Sequence, residues 1–531
     1  MFNKLFLYLS VQNKSKLKSG FTIVELIVVI VIICILATIS YVSYSGLTKK
    51  AILVSLQSDL DGASAIITSD MISNKVYPAN IDSLGLKASP NTTYTYVSRG
   101  EKRYCLSANY SDTYYHITSD NLIPRVGNCY DTTFAVTWGG SSEYSSGSSI
   151  IQTSDGGFVV TGDTWVYGAG SSDMFLAKYN SAGDLSWNKT WGGIGADMGI
   201  SLVQTSDGGY AVTGGTDSYG AGNDDMALVK YDSAGNLSWS KTWGGTNYDY
   251  GKSLVQTSDG GYAVIGQTRS FGAGGDDMFL AKYDTTGNLS WSKIWGSDGG
   301  FVESLAQTSD GGYIVTGETD SFGAGGSDIF LAKYDSSGNL SWIKTWGNTG
   351  GDYSSSIVQT SDGGYAVTGG TNSYGAGSYD MALVKYDSAG NLSWSKTWGG
   401  TGYDYGSSIV QSSDGGYAVA GITHSYGAGS YDTFLVKYDS AGNLSWNKTW
   451  GGTVYDSGND LVQANDGGYA VTGSTESYGT GGDMFLVKYN ASGDIPGCTA
   501  LMCQTPTATV TSPTATVFSP TATITTIVVP N

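Results

Sequence analysis

Histidine is almost missing from this chain: there are two in 531 residues, His116 and His424, and they lie far apart. That excludes a histidine-built metal centre and leaves no local acid–base partner for a nucleophile. Charge is sparse, with Asp, Glu, Lys and Arg at 14%. Basic residues are scarcest where the chain is longest. Residues 132–531 hold 15 basic and 37 acidic side chains. A surface that acidic repels phosphate backbones and excludes nucleic acid as a partner of that region. Phosphate loops, nucleophile elbows and His/Cys metal clusters are all missing. No catalytic set, cofactor site or metal-ligand set is therefore expected. Calcium, held by clustered acidic loops, is the one ion the composition leaves open.

What is abundant is glycine, at 77 residues, and tyrosine, at 38. They recur in a pattern. The string Ser/Asn-Asp-Gly-Gly-aromatic has its Asp at 155, 207, 259, 310, 362, 414 and 466. Seven near-identical units about 52 residues apart mean a stacked or closed repeat architecture. In one unit, Ser201–Thr205 leads through an Asp-Gly turn to Gly209–Gly214. A loop then leads to Met226–Tyr231, and a second turn to Leu237–Trp243. Four short antiparallel strands per unit describe a propeller blade. The last unit lacks its fourth strand, whereas a spare one, Phe134–Trp138, precedes the first. That spare strand is expected to complete the last blade, close the ring and remove two exposed edges.

The N-terminal end is built differently. Residues 1–20 contain four lysines, no acid and a final Gly20. An apolar run, Phe21 to Tyr44, follows and is long enough as a helix, roughly 36 Å, to span a bilayer. Glu25 interrupts it and needs a partner there. Cleavage after Gly20 would supply one, the new amine of Phe21 on a neighbouring subunit. The string Gly20-Phe21-Thr22-Ile23-Val24-Glu25-Leu26 closely resembles the processing signal of type IV pilins and pseudopilins. That resemblance implies cleavage by a prepilin peptidase, N-methylation of Phe21, and assembly with other pilin subunits through Glu25. The repeat resembles the bacterial seven-bladed propeller repeat called SBBP, on its Gly-Gly turn, its Asp-rich second turn and its Lys230-Tyr231 strand. This second resemblance implies fold and little about activity.

The expected organisation is multidomain. A leader (1–20) precedes a membrane or filament-core helix (21–44) and a small pilin-like α+β domain (45–131). An all-β seven-bladed propeller (132–497) and a disordered Thr/Pro-rich tail (498–531) follow. Cys105 with Cys129, and Cys498 with Cys503, are read as two local disulfides. Metal binding is the competing reading of those pairs, and disulfides require an oxidising compartment.

The blades differ most in the loop after their second strand. One position there reads Trp165, Asp217, Arg269, Asp320, Asn372, His424 and Glu476. Two positions on stands an aromatic in every blade, from Tyr167 to Tyr478. These loops share one face of a propeller, which makes the seven variable residues the candidate ligand surface, for a glycan or a protein. A ring of acids before the third strand, Asp173 to Asp483, is read as loop-fastening. The expected function is a minor or tip pilin-like subunit at the cell surface with the propeller as adhesion head. The alternatives are a structural pseudopilus component of a secretion or DNA-uptake system, and an extracellular propeller enzyme.

Overall fold

The computed structural model describes residues 52–98, 104–126 and 133–495, apart from short gaps, and segments of 503–518. Gly20, Phe21, Glu25 and the expected span 21–44 lie outside the described residues. Among those described, no helix is long and apolar enough to cross a membrane. The chain divides into two compact units, Met1–Tyr130 and Asp131–Asn531.

In the first unit, residues 54–74 are helical. Leu56, Leu60, Ala63 and Ile67 recur at helical spacing and share one face. That face is buried against Tyr104, Leu106, Ala108 and Ile117. These four belong to an antiparallel meander of Thr92–Ser98, Tyr104–Tyr110, Thr113–Thr118 and Asn121–Val126. The Ser64 and Tyr104 hydroxyls, 3.0 Å apart, satisfy each other inside this core. A helix laid on a sheet is thus present. Cys105 and, in the second unit, Cys503 are disulfide-bonded. Cys129 and Cys498, their expected partners, lie outside the described residues.

The second unit is a seven-bladed propeller. Blades 1 to 6 occupy residues 145–191, 197–243, 249–295, 300–347, 352–399 and 404–450, each as four antiparallel strands in sequence order. Blade 7 takes three strands from residues 456–489 and its outer strand from Phe134–Trp138. Met484 to Lys488 pair in register with Trp138 to Phe134, as the spare-strand reading requires. Inner strands touch in a closed cycle, the seventh against the first.

Repeated side chains bind blade to blade. The Gln that ends each inner strand accepts a hydrogen bond from the preceding blade's Asp-Gly-Gly turn. Ser206 N donates to Gln256 at 2.8 Å, and Asn465 N of blade 7 donates to Gln152 of blade 1 at 2.7 Å. Trp239 packs edge-on against Tyr262 of the next blade, with ring centroids 5.7 Å apart. It also covers Gly287, where a Cβ would lie 2.7 Å from the indole. The paired tryptophans are inter-blade glue.

Inner strands begin four residues earlier than their apolar runs do, Asp197 rather than Ser201 in blade 2. The cause is a β-bulge in every inner strand, such as that between Gly199 and Ser201. A bulge breaks the period-two pattern by which strands are recognised. Its carbonyls also demand the glycine opposite, because a Cβ on Gly214 would sit 1.9 Å from Met198 O.

The tail corrects an expectation. Instead of disorder throughout residues 498–531, three short strands form: Cys503–Gln504, Thr509–Thr511 and Thr516–Phe518. They pair with the outer strands of blades 6, 5 and 4 in turn. Blade edges offer unpaired backbone groups, and Thr and Val suit a strand that joins them.

Candidate functional site

Inner-to-second strand turns lie at one end of the strands; second-to-third strand loops lie at the other. The first end is chemically uniform. In each blade the turn Asp is held by a buried lysine from the Lys-Tyr strand, as in Lys230 Nζ–Asp207 Oδ2 at 2.9 Å. Asp207 also accepts Gly209 N at 2.9 Å. These bonds overcome its partial burial and hold its carboxyl down at about 2.

The opposite end carries the variable residues. Six of the seven donate their backbone N–H to the loop that precedes their own inner strand, as Arg269 N does to Tyr248 O at 2.9 Å and His424 N to Tyr403 O at 2.8 Å. Trp165, Asp217, Asn372 and Glu476 do the same toward Tyr144, Ala196, Gly351 and Tyr455. Asp320 instead accepts a hydrogen bond from Ser327 Oγ. All seven therefore lie on one face. Trp165 is half exposed. His424 packs on Tyr431 at 4.9 Å, within an arc in which Tyr353, Tyr379, Tyr403, Tyr431 and Tyr455 touch one after another.

The neighbouring aromatics serve the scaffold. Tyr219 stacks on Trp191 of the preceding blade and donates its hydroxyl to Gly192 O at 2.9 Å. Tyr374, Tyr426 and Tyr478 repeat both contacts. The ring of acids is structural too. Asp225 Oδ2 accepts Ala221 N at 2.7 Å, and Asp380 Oδ2 accepts Ala376 N at 2.8 Å. Burial pushes Asp328, Asp380 and Asp432 up to about 6, and a nearby aspartate of the next blade adds to each shift. Among the described residues, no group of three or more His, Cys, Asp and Glu side chains is placed to hold a metal ion.

The most unusual chemistry lies deeper, along the channel. The extra residue of each inner-strand bulge is Ser148, Ile200, Lys252, Glu303, Ser355, Ser407 or Asn459. Bulges re-aim side chains, and here the re-aimed residues differ from blade to blade. Lys252 Nζ stands 3.5 Å from Glu303 Oε2 of the next blade. Burial pushes the Glu318 carboxyl up to about 8, and Glu303 beside it adds to the shift. Glu303 itself is raised by burial, against the pull of Lys252. The Tyr405 hydroxyl of blade 6 is raised by burial, with smaller contributions from Glu318 and Glu303 of blade 4. Groups two blades apart influence each other in this way across the axial channel.

Two polar atoms on this wall are buried and unpartnered: Gln267 Nε2 and Glu318 Oε2. They occupy equivalent positions in adjacent blades, one residue before the end of the second strand. A cavity of about 410 Å³ opens on blades 2 and 3, lined by Met198, Ile200, Asp224, Tyr248, Tyr250, Lys252 and Arg269, and Gln267 is paired across from its Tyr250. At its rim, Arg269 lies 5.7 Å from the Tyr248 ring centroid. Asp276 fixes its guanidinium through two bonds, 2.6 and 2.9 Å. The cavity on blades 2 and 3 thus combines an immobilised cation, two tyrosines and a lysine whose partner, Glu303, belongs to blade 4. Of the seven residues anticipated, Arg269 lines this cavity. Trp165 and His424 sit on other sectors of the face. Lys252, Gln267, Glu303 and Glu318 were not anticipated. Their signal was available in the same way, as divergence at one repeat position, but it lay inside strands rather than in a loop.

Comparisons with known proteins match both halves of this description. The prokaryotic N-terminal methylation motif matches residues 15–41. A β-propeller domain of unknown function, DUF5122, matches residues 153–185 and 308–340. The regulatory protein FlaEY of Caulobacter vibrioides is 31% identical over 196 residues, which cover 34% of this chain and 20% of that protein. The chain therefore spans about a fifth of the length of this curated relative. Among solved structures, BamB from Moraxella catarrhalis is 12% identical with a TM-score of 0.35, covering 74% of this chain and 93% of its own. PorZ of Porphyromonas gingivalis, a surface component of a type-IX secretion system, is 11% identical with a TM-score of 0.31, covering 75% and 58%. The chain carries a prepilin-type methylation motif ahead of a seven-bladed propeller.

Proposed function

We propose that this chain is a minor or tip subunit of a pilin-type surface assembly. A prepilin peptidase cleaves it after Gly20, Phe21 is methylated, and Glu25 pairs with the Phe21 amine of another subunit. The precursor is anchored in the cytoplasmic membrane, and the mature protein displays its propeller outside the cell. Cys105–Cys129 and Cys498–Cys503 are its disulfides, and residues 45–131 serve as the pilin-like domain. A propeller on every subunit would crowd a filament, which favours a minor or tip position over the major one.

The propeller recognises an extracellular glycan at the channel mouth of blades 2 to 4. One observation carries this reading: an open cavity is lined by the clamped Arg269, Lys252 and two tyrosines, and Gln267, paired across from Tyr250 of that lining, holds a buried amide nitrogen without a partner. A buried polar group without a partner is costly. A polyhydroxylated ligand offers both donors and acceptors, and Tyr248 and Tyr250 offer ring faces to its apolar side. The neutral Glu318 carboxyl is a hydrogen-bond donor at pH 7, and the amide supplies another.

The test is a glycan array probed with the mature chain in detergent. Arg269→Ala and Glu318→Gln should each weaken a detected ligand about tenfold, the worth of one or two hydrogen bonds. Ser309→Ala, at the opposite end of the propeller, should leave the affinity unchanged. Binding that survives both mouth substitutions would place recognition elsewhere and return weight to a purely structural pseudopilin. A second reading rests on Glu303 and Glu318 as a carboxyl pair of unequal environment, the equipment of glycoside hydrolysis. Release of new reducing ends by the wild type, but not by Glu318→Gln, would make the head a hydrolase.

A further inference from the structure

The outer strands of the blades share a sequence but not an environment. In blades 6, 5 and 4 the tail adds a fifth strand, with Cys503 registered against Trp450, Val510 against Trp398 and Val517 against Trp346. The outward side of these three strands is sealed, and Thr345, Thr397 and Thr449 are 1%, 1% and 2% exposed. Among the described residues, the sheets of blades 1 and 2 stop at four strands. Their threonines at the same position, Thr190 and Thr242, are exposed, and so are Asn188 and Ser240 two residues earlier. Ser395 and Asn447, the counterparts in blades 5 and 6, are buried. The strand itself does not account for this difference, because Leu237–Gly245 of blade 2 repeats Leu392–Gly400 of blade 5 residue for residue.

Two further features mark the same sector. A cavity of about 710 Å³ is lined by Thr242, Trp243 and Gly244 of the blade 2 outer strand and by Tyr283, Gly287 and Leu289 of blade 3. Those three blade 2 residues are the counterparts of Thr397, Trp398 and Gly399, which pair with Thr511, Val510 and Thr509 in blade 5. Exposed apolar side chains also gather here. Among the described residues of the propeller, large apolar side chains that stay exposed fall between Tyr144 and Tyr248, Ile194 and Leu237 among them, and Val454 is the one outside that stretch. Apolar exposure concentrated on one sector marks an interaction surface.

We propose that the outer edge of blade 2 receives an extended segment of another chain by β-strand addition. The segment is of the tail's own kind: uncharged, rich in Thr and Val, with prolines kept outside the paired residues, as Pro506 and Pro513 are. The occupant follows from the interface already formed on blade 5, where the same outer-strand sequence takes Thr509–Thr511. Main-chain hydrogen bonds hold a strand added in this way, and the side chains along the edge select it. Such an edge gives the propeller a hold on a neighbouring surface protein that does not depend on what the channel mouth binds.

Hydrogen exchange on the full-length protein in detergent tests this, read by mass spectrometry over residues 237–245 and 392–400. The probe is a synthetic peptide with the sequence of residues 507–518. With the peptide in excess, exchange at Thr242–Gly244 should slow about tenfold. The identical sequence at Thr397–Gly399, already covered by the chain's own tail, should not change. A peptide carrying Val510→Pro and Val517→Pro should give no protection, because proline removes the donors of a strand. Thr242→Lys should abolish protection as well, since its counterpart Thr397 is buried under the strand it pairs with, and a lysine there would be buried too. Unchanged exchange at Thr397–Gly399 shows that variant to be folded. Exchange at Thr242–Gly244 that millimolar peptide does not slow overturns the proposal, as does protection that persists in Thr242→Lys. Protection that instead appears without peptide as the protein is concentrated, together with a dimer in light scattering, makes a second copy the occupant and overturns it too.

Discussion

Deleting residues 132–138 takes away the outer strand of blade 7, the stretch from one end of the ring that pairs into the blade formed by the other. Five registered pairs along Met484–Lys488 would be broken. At about 1 kcal/mol for each ladder hydrogen bond, the backbone loss is about 5 kcal/mol. Phe134, Val136 and Trp138 would also leave a cluster formed by Phe158, Phe175, Met484 and Leu486 of blades 1 and 7. Trp138 alone stacks on Phe175 at 4.6 Å and on Tyr167 at 5.1 Å. Three partly buried apolar side chains at about 2 kcal/mol each bring the total to roughly 10 kcal/mol. That matches the entire stability of a typical domain, about 5–15 kcal/mol. Urea unfolding followed by tryptophan fluorescence and circular dichroism should therefore show a broad, early transition with a reduced slope. Moving residues 132–138 to follow Asp494 should restore cooperativity, because Asn490 N donates to Asp494 O across the same turn that joins third and outer strands elsewhere, and Phe134 then stands three residues on, as Trp239 does after Asn236. An unchanged midpoint and slope in the deletion would refute closure by this strand.

Three further outcomes are expected. Gly20→Glu should leave an intact leader, whereas the wild type should yield a methylated Phe21 terminus by intact mass; a wild-type terminus at Met1 contradicts the pilin reading. Gly287→Ala should destabilise by about 2–4 kcal/mol, combining the strain of a positive φ of 80 with a contact 2.7 Å from Trp239. Gly274→Ala, at φ 105 with nothing within 4 Å, should lose only the strain, about 1 kcal/mol; equal losses in chemical denaturation would remove the indole from the argument. Stability should peak near pH 4–5. Asp328, Asp380 and Asp432 are raised to about 6 from an unfolded value near 3.9, so they bind more protons when folded, and stability falls as pH rises through that window. Asp207, Asp259 and Asp310 are lowered to about 2, so their contribution is lost as pH falls from about 4 toward 2. Urea midpoints that instead rise from pH 5 to pH 7 would show the buried acids to be ionised throughout.

How far the sequence could be read depends on which interactions repeat. The Asp-Gly turns and the Lys-Tyr strands are local and occur seven times, and the Trp-x-x-x-Trp pattern occurs six times with Phe134-x-x-x-Trp138 as its seventh counterpart, so blade number, strand order and ring closure are all legible. What was hidden is non-local or breaks a period. The bulge at Lys252 interrupts alternation, so the inner strands read as shorter than they are, and the channel residues they re-aim went unnoticed. The lysine that holds the turn Asp is 23 residues away in sequence, as Lys230 is from Asp207; neither residue alone suggests the pair. The ring of Tyr167 to Tyr478 appeared available to a ligand because the tryptophans they stack on belong to the preceding blade. The Thr/Pro tail was read by composition, which describes a chain without a core of its own. Composition is blind to an edge supplied by something else, here the outer strands of blades 4 to 6.

The same logic identifies where function resides. A seven-fold scaffold makes each blade a control for the other six. At positions that hold the ring together, such as Gln256, Trp239 and Asp225, the requirement is the same in every blade, and the residue hardly changes. A position with no structural duty can drift, but drift on an exposed surface leaves polar groups in water. Lys252, Gln267, Glu303 and Glu318 do not fit drift. They are partly or wholly buried, and they carry charge or orphaned amide and carboxyl groups. Such groups destabilise the folded ring unless something at the channel repays their desolvation. Blades 5 and 6 show that nothing in the architecture requires them: their equivalent bulge residues are Ser355 and Ser407, and Gly370 and Ile422 stand where blades 3 and 4 have Gln267 and Glu318. Blades 7 and 1 carry acids of their own that burial raises, Asp460 and Asp163, but the sector of blades 2 to 4 is the one where the mouth cavity and the clamped Arg269 are found.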